Sequence, residues 1–333
     1  MSSPLAIAAF VLAGYAVIGN DALQTLGPFL AANRGRAPKL LQFAWLALLL
    51  AAVLLLGWWW GEGDPAWGRL QTFAPLTDLR WIDLLPSLIV LLLTQWGAPV
   101  STSFLVLTAV DPASVQPLLR HSLAGYGTGL AVGLLAWGAL LWRLETTPAD
   151  QLPEGADAGN PLAAASETPG QAALPFWLAL QWLTTGWLWS QWLVQDLANI
   201  YVYLPRRLSP GAMAGSLAVL LVGLALLMAE NGGAIQQRLT SKTNSADPRS
   251  AALLAGIYGL VLFVMGRISS YPLSTTWAFL GLLAGRELAL LRLDTRDLRA
   301  AMASPAQDLL RAGLGLGISL AVALGVRASR GIL

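Results

Sequence analysis

Residues 40–60, LLQFAWLALLLAAVLLLGWWW, contain no charged side chain and close on three tryptophans. A helix gains about 1.5 Å per residue, so some 20 apolar residues cross the hydrocarbon core of a bilayer, and Trp favours its interface. Comparable blocks lie near 4–31, 84–110, 122–142, 173–204, 211–229, 251–285 and 309–326. A helix apolar on every face has no side to give to water, which excludes a soluble amphipathic bundle. The sequence therefore predicts an all-α integral membrane protein with about 8–10 membrane segments, depending on which blocks are split. Composition agrees: 11% of residues are charged, against about 25% in a soluble domain, and mean hydropathy is +0.61.

The first block lacks a basic start and is interrupted by Asn20 and Asp21, which argues against a cleaved signal peptide. The chain has no cysteine and one histidine, His121. That excludes disulfides, thiolate metal sites and multi-histidine centres. No cofactor is expected beyond a bound Na⁺, and a net charge of +2 gives no reason to expect nucleic acid.

Residues 144–172 carry five acidic side chains and no basic one among Ala, Pro, Gly and Thr. They read as a solvated linker between repeat one (1–143) and repeat two (173–333). Each half has two polar interruptions in the same order. The first is Gly19-Asn20-Asp21-Ala22-Leu23-Gln24, matched by Gln195-Asp196-Leu197-Ala198-Asn199. The second is Gly97-Ala98-Pro99-Val100-Ser101-Thr102-Ser103, matched by Tyr271-Pro272-Leu273-Ser274-Thr275-Thr276. Asp21 precedes Ser101 by 80 positions and Asp196 precedes Ser274 by 78, so an internal duplication is the economical reading.

A carboxylate costs about 2.5–3.5 kcal/mol at the centre of a membrane helix on insertion scales, and such residues line ion or substrate paths. Asp21 and Asp196 each sit beside amide side chains, a donor set suited to a hard cation, while a lone carboxylate suits a proton. Pro99 and Pro272 remove a backbone donor and should break the helix there. Ser101 or Ser274 then stands near a new helix N-terminus, whose free N–H groups suit an anion. Broken helices at corresponding places in two halves point to a secondary-transporter site.

At these residues the chain resembles the inorganic phosphate transporter family, the PiT-type sodium- or proton-coupled phosphate symporters. That family repeats a G-x-N-D-V-A-N-A signature and a later P-[VI]-S-[ST]-[ST]-H element. The resemblance rests on about 25 residues and on the order of the motifs. Gln24 and Gln195 stand where the family has Asn, Phe104 and Trp277 where it has His, and the second acidic motif lacks its glycine.

The resemblance implies two inverted-topology repeats with broken helices or re-entrant hairpins, a multi-pass protein of the cell membrane, and a homodimer. It implies a cation bound by Asn20, Asp21, Gln24, Gln195, Asp196 and Asn199. It also implies a phosphate held by Ser101, Thr102, Ser103, Ser274, Thr275 and Thr276, with alternating access of the site. Another oxyanion such as sulfate, or a non-transporting subunit or sensor, are the alternatives. A membrane enzyme is disfavoured because no nucleophile–histidine set or H-E-x-x-H motif occurs.

Arg267, His121 and Trp58–Trp60 are expected at membrane boundaries, and Gln95 either on the pathway or between helices. Gly14, Gly125 and Gly129 are expected where helices approach closely. Basic residues follow the first segment of both halves (Arg34, Arg36 and Lys39; Arg206 and Arg207). The positive-inside rule would put both loops on one side, whereas an inverted repeat separates them.

Overall fold

The structure, a computed structural model, describes residues 3–76, 78–95, 100–146, 174–229, 248–269, 272–290 and 298–329. Ten α-helices fall among them, five in each half. The first five are α1 (Pro4–Ala32), α2 (Lys39–Trp60), α3 (Leu85–Gln95), α4 (Thr102–Val110) and α5 (Val115–Thr146). The second five are α6 (Leu174–Tyr201), α7 (Pro210–Ala229), α8 (Pro248–Ile268), α9 (Thr275–Leu290) and α10 (Leu298–Ser329). Among the described residues, six helices are long and apolar enough to cross a membrane: α1, α2, α5, α7, α8 and α10. Large apolar side chains such as Leu40, Leu48, Trp59 and Leu135 stand exposed on their outer faces, as a lipid-facing surface requires. The chain is a multi-pass α-helical membrane protein.

Two of the apolar blocks are split where the hydroxyl motifs stand. In one half helix resumes at Thr102 after the non-helical Val100 and Ser101, and in the other it stops at Ile268 and resumes at Thr275. Pro272 is extended and buried in the second break, while Gly97, Ala98 and Pro99 of the first lie outside the described residues. Asn20 and Asp21, by contrast, do not interrupt α1, and Pro28 also sits within it. The linker 144–172 lies outside the described residues except for its first three, which complete α5.

Interhelical contacts are exchanged when the halves are exchanged. α5 packs on α9 and α10 on α4; α1 packs on α7 and α6 on α2; α1 packs on α3 and α6 on α8. The equivalent helices α1 and α6 run antiparallel. Asn33, at the end of α1, donates to Gln181 Oε1 at 2.8 Å and accepts from Trp182 Nε1 at 2.9 Å near the start of α6. At the opposite ends, Phe10 meets Tyr201 with ring centroids 5.3 Å apart. An inverted repeat requires this arrangement.

It also removes the conflict over basic loops. Leu208 N donates to Gly63 O at 2.9 Å, so the loop after α6 lies with the segment after α2, one membrane crossing away from Arg34 and Arg36. Arg206 donates to Phe73 O and Ala74 O at 3.3 and 3.2 Å, and Arg207 pairs with Glu62 at 3.5 Å. Those two charges fasten loops together.

Asn33 is 1% exposed and also donates to Phe29 O at 2.9 Å. Asn33→Ala strands Gln181 Oε1 and the Trp182 indole in an apolar interior. Each buried orphan costs about 1–3 kcal/mol, so a drop of several degrees in the melting temperature of the detergent-solubilised protein is expected. An unchanged melt would show that this contact does not tie α1 to α6.

Candidate functional site

The four polar motifs, far apart in sequence, converge on one buried cluster. Asn20, Asp21, Asp196 and Asn199 are each 0% exposed, and the six hydroxyl residues are all at 6% or less. Ser101 caps α4, its Oγ accepting from Phe104 N at 3.2 Å, and Ser274 caps α9, accepting from Trp277 N at 3.4 Å. A helix start leaves its first N–H groups without intrahelical partners. Two such starts, one from each half, thus sit beside the carboxylates.

Hydroxyls approach both carboxylates. Asp21 accepts from Thr102 on Oδ2 at 2.5 Å and from Thr276 on Oδ1 at 3.1 Å. Asp196 accepts from Ser103 on Oδ1 at 3.4 Å. Asn199 Nδ2 spans the centre, donating to Asp196 Oδ1 at 2.8 Å, Ser103 Oγ at 2.9 Å and Thr102 Oγ1 at 3.3 Å. The acidic and hydroxyl sets, which the sequence separates into a cation site and an anion site, form one network.

The two sides of this network differ. On the half-one side Asn20 Nδ2 donates to Asp21 Oδ1 at 2.8 Å and Val100 O at 3.0 Å, and Asn20 Oδ1 accepts from Thr94 at 2.9 Å. On the half-two side three buried acceptor oxygens have no partner: Gln195 Oε1, Asp196 Oδ2 and Asn199 Oδ1. They lie within five positions on one face of α6. Buried polar atoms almost always find partners, so three orphaned acceptors together mark a place built for a donor or a cation. Carboxylate and amide oxygens are the donor set a hard cation takes.

Of the expected site residues, Asn20, Asp21, Thr102, Ser103, Asp196, Asn199 and Thr276 share the network, and Ser101 and Ser274 cap the helices beside it. Gln195 donates to Leu262 O, and the side chain of Gln24 lies outside the described residues. Neither Thr94, which holds Asn20, nor Tyr258, whose hydroxyl donates to Thr275 O at 2.8 Å and fixes the second break, is among the residues expected from sequence. Thr94 had one legible signal, since it stands seven residues before Ser101 as Arg267 stands before Ser274. Tyr258 had none. Phe104 and Trp277, in the positions where the resembled family has His, are buried, and Trp277 packs edge-on to Tyr126 at 6.1 Å. Gln95 is exposed at the end of α3.

A cavity of about 650 Å³ adjoins the half-two side of the cluster. Its wall includes Gln195 together with Arg69, from the segment between α2 and α3, and Arg267, from the last turn of α8.

No protein-family model matches the sequence, and a search of curated proteins returns no match. Among solved structures, the chain is similar to one described as the sodium-dependent phosphate transporter, with a TM-score of 0.63 and 10% identity. The superposition covers 99% of this chain and 98% of that one. The fold is shared from end to end.

Proposed function

We propose that this chain is a divergent PiT-type secondary transporter of an inorganic oxyanion, phosphate first, coupled to Na⁺ or H⁺ by alternating access. One observation carries the reading: the acidic and hydroxyl motifs of both inverted halves meet in a single buried network with orphaned acceptors on one side. The shared fold with a sodium-dependent phosphate transporter supports it.

In this mechanism Gln195 Oε1, Asp196 Oδ2 and Asn199 Oδ1 hold the coupling cation. The N-termini of α4 and α9, with Thr102, Ser103, Thr275 and Thr276, receive the oxyanion. Ser101 and Ser274 act by capping those helices. A cation drawing on the carboxylates loosens the hydroxyls that now bond to them, freeing those donors for the anion, which links the two bindings. The unpartnered acceptors on the half-two side suit one of two states that inverted repeats interconvert by exchanging conformations. The protein would work as a homodimer in the cell membrane, without catalysing a covalent reaction.

The test is thermal stability of the solubilised protein with oxyanions, with and without sodium. A ligand at about a hundred times its Kd stabilises by about 2.7 kcal/mol. Phosphate should raise the melting temperature by several degrees, and by more with sodium than with choline. A larger response to sulfate would reassign the anion. No response to any oxyanion would sink the reading.

A further inference from the structure

The cavity beside the half-two face holds two cations that the translocation network does not use. Arg69 is 7% exposed, and its guanidinium donates to Ser269 O at 2.6 Å and Gly266 O at 3.0 Å, the carbonyls where α8 ends. Arg267 is exposed, its guanidinium 5.2 Å above the Phe263 ring. Among the described residues, neither has a carboxylate within ion-pairing distance. A nearly buried arginine without a carboxylate is rare, because desolvating a guanidinium is costly unless an anion offsets it. Burial and Arg267 push the Arg69 pKa down while Asp196 holds it up, yet a guanidinium remains charged throughout. Two positive charges on the wall of one cavity raise the local concentration of anions.

The pocket also connects to the centre. Gln195, 2% exposed with an unpartnered Oε1, lines the cavity and precedes Asp196 in the chain. Gly266 is required for this approach, since a Cβ there would lie 2.1 Å from Gln195 Nε2 and 2.9 Å from Arg69 Nη2. The half-one position that corresponds to Arg267 is the neutral Thr94, which is bonded to Asn20.

We propose that this cavity is an antechamber that concentrates a tetrahedral oxyanion between Arg69 and Arg267 before it passes Gln195 to the central network. The proposal rests on the transporter reading for what lies beyond Gln195, but binding in the antechamber can be measured apart from transport.

The chain contains no cysteine, so Gln191→Cys on the cavity wall introduces a single thiol, and Val194→Cys offers a second position. Each is modified in the full-length solubilised protein with sulfonatoethyl or trimethylammonium-ethyl methanethiosulfonate, and each rate is divided by that of a free thiol. The anionic reagent should react about tenfold faster than the cationic one, as expected for two nearby positive charges. Arg267→Gln should remove most of that preference. Phosphate should slow the reaction at constant ionic strength while chloride does not, and sulfate in its place reads whether charge and shape or phosphate itself is recognised. Equal corrected rates for the two reagents at both positions would overturn the antechamber, even if liposomes show oxyanion uptake. Charge preference with phosphate protection but no uptake in liposomes would keep the antechamber and overturn the transport reading.

Discussion

Asp21→Asn will abolish cation-coupled oxyanion uptake into proteoliposomes while leaving a folded, monodisperse protein. Asp21 accepts from Asn20, Thr102 and Thr276, so one carboxylate ties α1 to the hydroxyl motifs of both halves. Hydrogen bonds to a charged acceptor contribute about 1.5–3 kcal/mol each. Asparagine keeps the shape but loses the charge and one acceptor, so two weakened bonds correspond to a loss of about a hundredfold or more in uptake. Folding should survive, because the threonine hydroxyls can rotate to accept from the new amide. Asp196→Asn should be as damaging for a different reason: it removes the charge of the carboxylate that supplies one of the three orphaned oxygens. Robust coupled uptake in either variant would show that the buried network is structural.

The largest effect on stability is expected where α5 and α9 meet. Gly129 and Gly133 on α5 face Gly281 and Gly285 on α9 so closely that any side chain strikes backbone. A Cβ on Gly281 would lie 2.1 Å from Tyr126 O, on Gly285 2.2 Å from Leu130 O, and on Gly129 2.2 Å from Ala278 O. Small residues let membrane helices approach in this way. Gly281→Val must push the helices apart, at a cost of about 3 kcal/mol or more. It would also shift the start of α9, where Thr276 donates to Asp21. The expected result is a strongly lowered melting temperature and loss of uptake. Gly127→Ala, on α5 with nothing within 4 Å of its Cβ, should do no harm and gain about 1 kcal/mol of helix propensity. Equal behaviour of the two variants would mean that α5 and α9 are not in close contact.

The membrane class and the site motifs were legible because both are local properties. Hydrocarbon demands long apolar helices, and that demand is written in consecutive residues such as 40–60. A carboxylate that is too costly to leave in lipid, or a hydroxyl triplet after proline, stands out against such a background. Gly125 and Gly129 likewise mark close approaches, with Leu273 and Ala278 against them.

Partners across space were not legible. No spacing says that Thr102 and Thr276, 174 positions apart in the sequence, would bond to one aspartate. Nor does any spacing say that Arg69 would dock on carbonyls 197 and 200 positions away. The basic residues at 206 and 207 misled for the same reason, since a charge count cannot tell a free loop cation from one tied to a neighbouring loop.

By itself the sequence determined the solvent and the chemistry available, because helix formation in lipid and the cost of buried charge act residue by residue. Only the tertiary structure decided which polar atoms are satisfied. Antiparallel packing of α1 and α6 brings four motifs to one point, completes the bonds around Asn20 and Asp21, and leaves three acceptors open on α6 beside a cationic cavity. That asymmetry comes from packing, and the duplicated motifs do not encode it.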